Sequence, residues 1–272
     1  MKKEAIGGVG MALQFPHIDY ILKERPKVPW FEIDIDRFVD DGIHHAQLKK
    51  LRAHYPIVFH CRSLNLGGVD KFPGQQIIMY KSLIDLYEPE WFSDHLCWTS
   101  FNGHFHHDLL PVPRTTEGLI NLTQRIDFLQ EFFDRSLVIQ NISSYIEFDG
   151  ADFSEVEFIK EVQRRSGCKL LLDISSVLID SKNKNRDPND FFAEYPIEKA
   201  VYGRLSGGAF VKDLIMDSRS NSVNEMDIQM YQSIWDSGVK LPVALTRSAD
   251  IPPFKDLEDE RQKIEGCISG LQ

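Results

Sequence analysis

The sequence predicts a (β/α)8 barrel, an α/β fold in which eight parallel strands alternate with helices, and two observations carry this prediction. Short apolar runs alternate along the chain with longer amphipathic stretches, which is typical of repeated βα units on a parallel sheet. The chain has 272 residues, of which 42% are hydrophobic, and this length suits one TIM-type barrel with its outer helices. We therefore expect a single domain over residues 1–272.

The predicted strands are eight apolar runs, most of which end in polar residues. In chain order they are GVGMALQ (8–14), WFEIDID (30–36), PIVFHC (56–61), WFSDHLCW (91–98), SLVIQN (136–141), KLLLDIS (169–175), AVYGRLS (200–206) and LPVALT (241–246). An open doubly wound sheet is the alternative. It is disfavoured because no GxGxxG turn follows the first run, where GGVG stands at the start instead.

The predicted helices are the amphipathic stretches that follow these runs. They cover residues 18–24, 45–54, 75–87, 117–133, 154–165, 188–195, 226–235 and 254–268. The segment 103–108, GHFHHD, contains three histidines, and its alternating pattern favours a loop or hairpin with solvated imidazoles over a metal site.

Composition excludes several classes of function. The formal net charge is -10, which argues against a nucleic-acid partner, because such binding depends on Lys and Arg neutralising phosphates. No apolar stretch has the length of a membrane span or of a signal-peptide core. The four cysteines are scattered without CxxC spacing, as is typical of reduced thiols, so we expect a cytoplasmic protein with no membrane partner.

Polar side chains at the ends of the predicted strands form the candidate site, because the carboxyl ends of barrel strands gather at one mouth. Two of them are histidines and several are carboxylates, which suit zinc, iron or manganese. A hydrogen-bonded structural histidine is the alternative at each position. Cys61 and Cys97 lie beside these histidines, but a buried cysteine is more often a small apolar residue than a nucleophile. The strand-end residues are Glu32, Asp34, Asp36, His60, His95, Gln140, Asn141, Asp173, Ser175, Arg204, Thr246 and Arg247.

Several motifs in order resemble one enzyme family. They are His60 with LNLGG (64–68), SDHLCW (93–98), HDLLPVP (107–113), QNISSY (140–145), LLLDIS (170–175) and the NxxxDP pattern of residues 183–188. This set is similar to the multinuclear non-heme iron-dependent oxidative enzymes, long catalogued as domain of unknown function 692. The resemblance covers nearly the whole chain.

The resemblance implies a xylose-isomerase-like (β/α)8 barrel that holds two or three irons at its strand ends. It also implies oxidative modification of cysteine-containing peptides made by the ribosome, with a companion protein that presents the peptide. His60 and His95 match the first two histidine ligands of the family, and Asp173 and Asp217 match acids that are retained.

Other positions depart from the family pattern. Gln140 replaces a glutamate, Arg204 and Gly208 replace the histidines of an HLAGH pattern, and Arg219 replaces the histidine of DTHG. Thr246 stands for a glutamate in the last strand. In addition, all nine histidines lie at or before His107, so the rest of the chain offers no imidazole.

These departures predict a site in which arginine–carboxylate ion pairs replace a metal centre, because guanidinium carries a fixed charge and ligates no metal. The leading hypothesis is a peptide- or partner-binding barrel without a cofactor. The alternative is an iron-dependent oxidoreductase with a reduced site of His60, His95 and Asp173. A sugar-isomerase-like activity would rest on fold analogy alone.

Overall fold

The computed structural model describes residues 5–38 and 42–269. Eight parallel strands close into a barrel in sequence order, as predicted. Each strand is short and almost wholly buried, since helices cover the outer face of a parallel barrel and side chains fill its interior. The strands are β1 (Val9–Ala12), β2 (Phe31–Asp34), β3 (Ile57–His60), β4 (Phe92–His95), β5 (Val138–Gln140), β6 (Lys169–Asp173), β7 (Ala200–Leu205) and β8 (Val243–Leu245).

The strand register brings the polar ends of neighbouring strands side by side. Asp34 of β2 is paired with His60 of β3, and His95 of β4 with Gln140 of β5. Asp173 of β6 is paired with Arg204 of β7. Because register partners in parallel strands point to the same side of the sheet, each pair of side chains meets at the mouth of the barrel.

Helices pack around the barrel, and one of them was not predicted. They are α1 (Ile18–Glu24), α2 (Ile43–Arg52), α3 (Gly74–Tyr87), α4 (Thr116–Phe133), α5 (Glu155–Ser166), α6 (Ile174–Asn183), α7 (Pro188–Glu194), α8 (Glu225–Asp236) and α9 (Phe254–Ser269). The predicted helix 188–195 is present as α7, but α6, which comes before it, was not predicted. The sixth strand ends at Asp173, whose carboxylate accepts a hydrogen bond from Ser176 N and so caps α6 directly.

Two β-hairpins stand on the mouth of the barrel. Hairpin 1 (Cys97–Phe101 with His104–Pro111) follows β4, and hairpin 2 (Gly207–Val211 with Leu214–Asn221) follows β7. Hairpin 1 confirms the expectation for residues 103–108, since His104 and His106 are exposed, while the side chain of His107 lies outside the described part. The fourth predicted strand, 91–98, is too long, because Leu96 N bonds to Gln140 O and Cys97 already starts the hairpin. Hairpin 2 was not predicted.

A small apolar layer closes the lower part of the barrel. It consists of Trp30, Val58, Val138, Leu171, Tyr202 and Ala244. A Cβ atom at Gly10 would lie 2.4 Å from the Trp30 ring, so glycine is required for the indole to enter the barrel. The residues above this layer are polar and line the mouth. No helix in the described residues is both long and apolar enough to cross a membrane.

Candidate functional site

An open cavity of about 1100 Å³ occupies the mouth of the barrel between the two hairpins. Its wall includes Phe105 and Asp108 of hairpin 1 and Met216 of hairpin 2. Nine of the fourteen predicted site residues line it: Glu32, Asp34, Asp36, His60, His95, Arg204, Asp217, Arg219 and Thr246. Gln140, Asn141 and Asp173 lie beneath this surface and are almost fully buried.

Arg204 is the centre of the buried polar network. It is only 3% exposed, and its guanidinium donates to both carboxylate oxygens of Glu32 through Nε and Nη2. Its remaining nitrogen, Nη1, donates to Gln140 Oε1 at 2.8 Å. This forked contact is the geometry in which guanidinium binds a carboxylate best, so Arg204 and Glu32 compensate each other's buried charge.

Gln140 joins the two ion pairs of the network. Its Oε1 accepts from Arg204, and its Nε2 donates to Asp173 Oδ2 at 2.8 Å. A carboxylate at this position could accept from the guanidinium but could not donate to Asp173. The amide is therefore the group that suits a position between a cation and an anion.

Arg219 forms the second ion pair from a bulge in hairpin 2. Four residues, 217–220, lie opposite Gly208 where the register shifts, and the Arg219 backbone has a left-handed φ of 51°. Its Nη2 donates to Asp173 Oδ2 at 3.2 Å, and its Nε lies 3.4 Å from Asp217 Oδ1. The bulge thus directs a guanidinium back over β6, a use of bulges that is common beside functional sites.

A chain of hydroxyl groups fixes the tautomer of His60. Burial and the nearby Glu32 carboxylate raise the pKa of Tyr202 far above its usual range, so its hydroxyl stays protonated and donates to Glu32 Oε2. Ser93 Oγ lies 2.7 Å from Tyr202 Oη and 3.2 Å from Phe59 O, and it donates its proton to one of these two oxygens. Since Ser93 has one proton, its contact of 2.8 Å with His60 Nδ1 requires the imidazole to donate. His60 Nε2 therefore carries a lone pair.

His95 is oriented in the same way by its neighbour Asp94. Its Nδ1 donates to Asp94 Oδ1 at 3.3 Å, and Asp94 also accepts from Leu64 N and Cys61 Sγ. Burial raises the pKa of Asp94 to about 7, although the hydrogen bonds from these donors lower it. Burial, together with the charges of Arg204 and Arg219, lowers the pKa of both histidines well below the usual value. Both imidazoles are neutral, and their ring centroids are 4.6 Å apart.

The residues at the mouth do not fit a multinuclear iron centre. Neutral imidazoles whose Nδ1 atoms donate to a hydroxyl or carboxylate are oriented as metal ligands usually are. However, Arg204 occupies the oxygens of Glu32, and Arg219 binds Asp173. Within residues 5–38 and 42–269, no three His, Cys, Asp or Glu side chains are grouped to hold a metal ion. Two nitrogen donors beside two guanidinium groups cannot neutralise several cations.

Other predicted residues have structural contacts. Asn141 bonds to the backbone N and O of Asp173, and Thr246 Oγ1 donates to Leu205 O. Cys61 and Cys97 are fully buried, and burial raises the pKa of both thiols, which suits inert apolar residues.

Sequence reasoning missed Ser93 and Tyr202. Ser93 lies two residues before His95, and Tyr202 lies two residues before Arg204, and both of these later residues were predicted site residues. The two-residue period of a strand was the signal that places both on the inner face.

The chain matches a known family over nearly its whole length. The profile of the family described as "RiPP precursor modification enzyme MbnB/TglH/ChrH" matches residues 8–269. The chain belongs to this family. The chain is also similar to a UPF0276 protein from Acaryochloris marina, with 33% identity over 96% of this chain and 95% of the relative. A UPF0276 protein from Vibrio parahaemolyticus is 32% identical over 97% of this chain and 93% of the relative.

Solved structures similar to this RiPP-modification family member share its fold. The apo form of the 3-keto-D-glucoside 4-epimerase YcjR from E. coli has a TM-score of 0.62 and 11% identity, covering 96% of this chain and 100% of the epimerase. A putative xylose isomerase from Rhodospirillum rubrum has a TM-score of 0.58 and 11% identity, covering 97% and 98%. At this identity the likeness confirms a xylose-isomerase-like barrel and carries no activity.

Proposed function

We propose that this chain is a non-catalytic member of its family, a barrel that binds a peptide or a protein partner at its mouth and needs no cofactor. One observation carries the proposal: Arg204 lies between Glu32 and Gln140 with all three guanidinium nitrogens bonded. A permanent cation in this position repels a metal ion and leaves Glu32 no free oxygen to bridge two ions.

Family membership supports a peptide ligand, because the family acts on precursor peptides. The cavity is large enough for several side chains and is open between the hairpins. Hairpin tips beside it expose apolar side chains, including Phe101, Phe105 and Phe210. Such a combination of polar floor and apolar rim suits an extended peptide or a partner's loop.

The experiment restores the four family ligands together, as Gln140→Glu, Arg204→His, Arg219→His and Thr246→Glu. Iron is then added to the purified fourfold variant and to the wild type, and retention through gel filtration and the melting temperature are measured. We expect only the variant to retain iron and to melt at a higher temperature with ferrous ion, since a ligand that binds the folded state stabilises it. A folded variant that binds no more iron than the wild type would refute the replacement of a metal centre.

The second candidate is an oxidoreductase with one iron on His60, His95 and Asp173. Within the described residues, the Nε2 atoms of both histidines have no hydrogen-bond partner. This favours the second candidate, because a metal ligand needs a free lone pair. Both oxygens of Asp173 already accept hydrogen bonds, from Ser176 on one side and from Gln140 and Arg219 on the other. Arg219 would have to leave before Asp173 could bind metal. Arg219→Ala should therefore raise iron affinity if this candidate is correct, and leave it unchanged under the proposal above.

A further inference from the structure

A second, smaller cavity opens beside the main one. This side chamber lies between residues 63–73, hairpin 1 and Arg125, and it has a volume of about 300 Å³. Ser63 and Phe105 line both cavities, so the side chamber continues the mouth of the barrel. Its volume is at the lower end of the range for small-ligand pockets, about 300–1,000 Å³, and therefore suits one large side chain of a longer ligand.

Hydrogen bonds hold the two walls of the side chamber in place. Asn65 Oδ1 accepts from the backbone N of Thr99 and Ser100, and its Nδ2 donates to Ser100 O and Oγ. At the turn of hairpin 1, Gly103 N donates to Asp70 Oδ2 at 3.2 Å. The chamber is thus formed before a ligand enters, and the Asn65 side chain has no polar atom left for that ligand.

Arg125 of α4 forms one wall of the side chamber, and its orientation is fixed. One face of the guanidinium lies on the Phe72 ring, with Cζ 3.9 Å from the ring centroid. Because Phe72 covers that face and hydrogen bonds occupy the edge, the opposite face is the part of the guanidinium left to line the chamber. The bonds along the edge run from Nε, Nη1 and Nη2, at 2.7 to 3.1 Å, to the backbone oxygens of Leu66, Asp70 and Asn65.

A guanidinium that offers only its face favours an aromatic ring over a carboxylate. A carboxylate binds guanidinium in its plane through forked hydrogen bonds, and the three carbonyl oxygens at the edge of Arg125 would repel it. An aromatic ring binds the face instead, by stacking and by the cation–π attraction. Leu64, Pro73 and Phe105 add apolar contacts from the other walls.

We propose that the side chamber binds an aromatic side chain of the peptide or partner loop that occupies the main cavity. The ring stacks on the free face of Arg125 and contacts Leu64 and Phe105. The chamber therefore selects ligands in which an aromatic residue lies next to the segment that enters the mouth. This inference rests on the proposed function, because it names a side chain of the ligand proposed there.

The test uses the full-length protein with ¹⁵N label, observed by NMR at pH 7. Two probes of similar size are titrated: N-acetyl-phenylalanine N-methylamide, and N-acetyl-cyclohexylalanine N-methylamide, whose ring has no π system. We expect both probes to shift the Gly103 N–H signal. Only the aromatic probe should move the Arg125 Nε–H signal upfield until saturation, because that proton then lies over the ring. The cyclohexyl probe should bind about threefold or more weakly.

Variants locate the binding to the side chamber. Phe105→Ala removes one wall and should weaken the aromatic probe about threefold or more. Phe105 is 59% exposed, so its loss leaves the core of the barrel intact. Phe148→Ala is the matched control, since Phe148 is also exposed and lines neither cavity within the described residues. It should leave binding unchanged.

Three results would overturn the inference: equal binding of the two probes, no upfield shift of the Arg125 signal with the aromatic probe, or equal effects of Phe105→Ala and Phe148→Ala. Failure of the proposed function is seen separately, by measuring iron in the same protein as purified. Two or more tightly held irons would refute the cofactor-free barrel, whatever the probes do. Iron-free protein that ignores the aromatic probe would refute only the aromatic side chamber.

Discussion

The substitution Gln140→Glu tests the network most sharply, because it changes one atom between two ion pairs. In the wild type, Gln140 Nε2 donates to Asp173 Oδ2 at 2.8 Å, and Oε1 accepts from Arg204 at 2.8 Å. The introduced carboxylate would repel Asp173 and attract Arg204 over equal distances, so the two Coulomb energies largely cancel. What remains is a lost hydrogen bond to a charged group, about 1.5–3 kcal/mol.

The penalty should depend on pH in a defined direction. Because these Coulomb energies largely cancel, burial of the Gln140 site raises the pKa of the introduced carboxyl above its unfolded value of about 4.3. The folded variant then binds this proton more tightly than the unfolded chain, so its stability falls as pH rises through that window. A protonated carboxyl donates to Asp173 as the amide did. We therefore expect a loss of about 2–3 kcal/mol at pH 8 and a smaller one at pH 5.

Urea unfolding at both pH values measures the loss by linear extrapolation. Gln47→Glu is the matched control, because Gln47 Nε2 also donates to an aspartate, Asp19 Oδ1 at 2.7 Å, but at an exposed position. It should cost no more than about 0.5 kcal/mol. If Gln140→Glu costs no more than Gln47→Glu at pH 8, Gln140 does not join the ion pairs as described.

Three further predictions concern the same region. Arg204→Ala should lower the free energy of unfolding by about 3–5 kcal/mol, because Glu32 is left as an unpaired buried charge, whereas Arg164→Ala at the exposed pair with Glu161 should have little effect; urea unfolding compares them, and equal losses would contradict the buried pair. Tyr202→Phe should cost about 1–3 kcal/mol and release the tautomer of His60, seen as a second Nε2 resonance by NMR; an unchanged spectrum would contradict the hydroxyl chain. Burial raises the pKa of Asp227 to about 6, so this residue should make the wild type lose stability as pH rises from about 4 to 6; Asp227→Asn should reduce that loss by its own share, and parallel pH profiles would contradict it.

Much of the mouth of the barrel could be predicted because strand ends obey a local rule. An apolar run that ends in a polar residue places that residue at the carboxyl edge of the sheet, and this rule located His60, His95, Gln140 and Arg204 correctly. The ion pairs of Arg204 and Arg219 also follow from sequence, since a buried guanidinium requires a carboxylate. Which carboxylate it binds depends on side-chain reach and could not be predicted.

The elements that were missed depend on tertiary contacts. Helix α6 (Ile174–Asn183) begins at once after β6, without the loop that separates most strands from helices, so its first residues read as a continuation of the strand. Hairpin 2 lacks an Asn-Gly or Asp-Gly turn. Its register is instead fixed by hydrogen bonds from residues outside the hairpin. Asn183 bonds to both N and O of Ile215, and Tyr145 Oη accepts from Asp217 N. Such long-range anchors leave no local pattern in the sequence.

The metal content of the wild-type protein tests the central claim most directly. The protein is purified from iron-supplemented cells, and iron per chain is measured by elemental analysis together with Mössbauer spectroscopy. Because Arg204 and Arg219 occupy the carboxylates of Glu32 and Asp173, we expect no tightly held iron, and at most one ion per chain. Two or more tightly bound irons per chain would contradict the replacement of the metal centre by ion pairs.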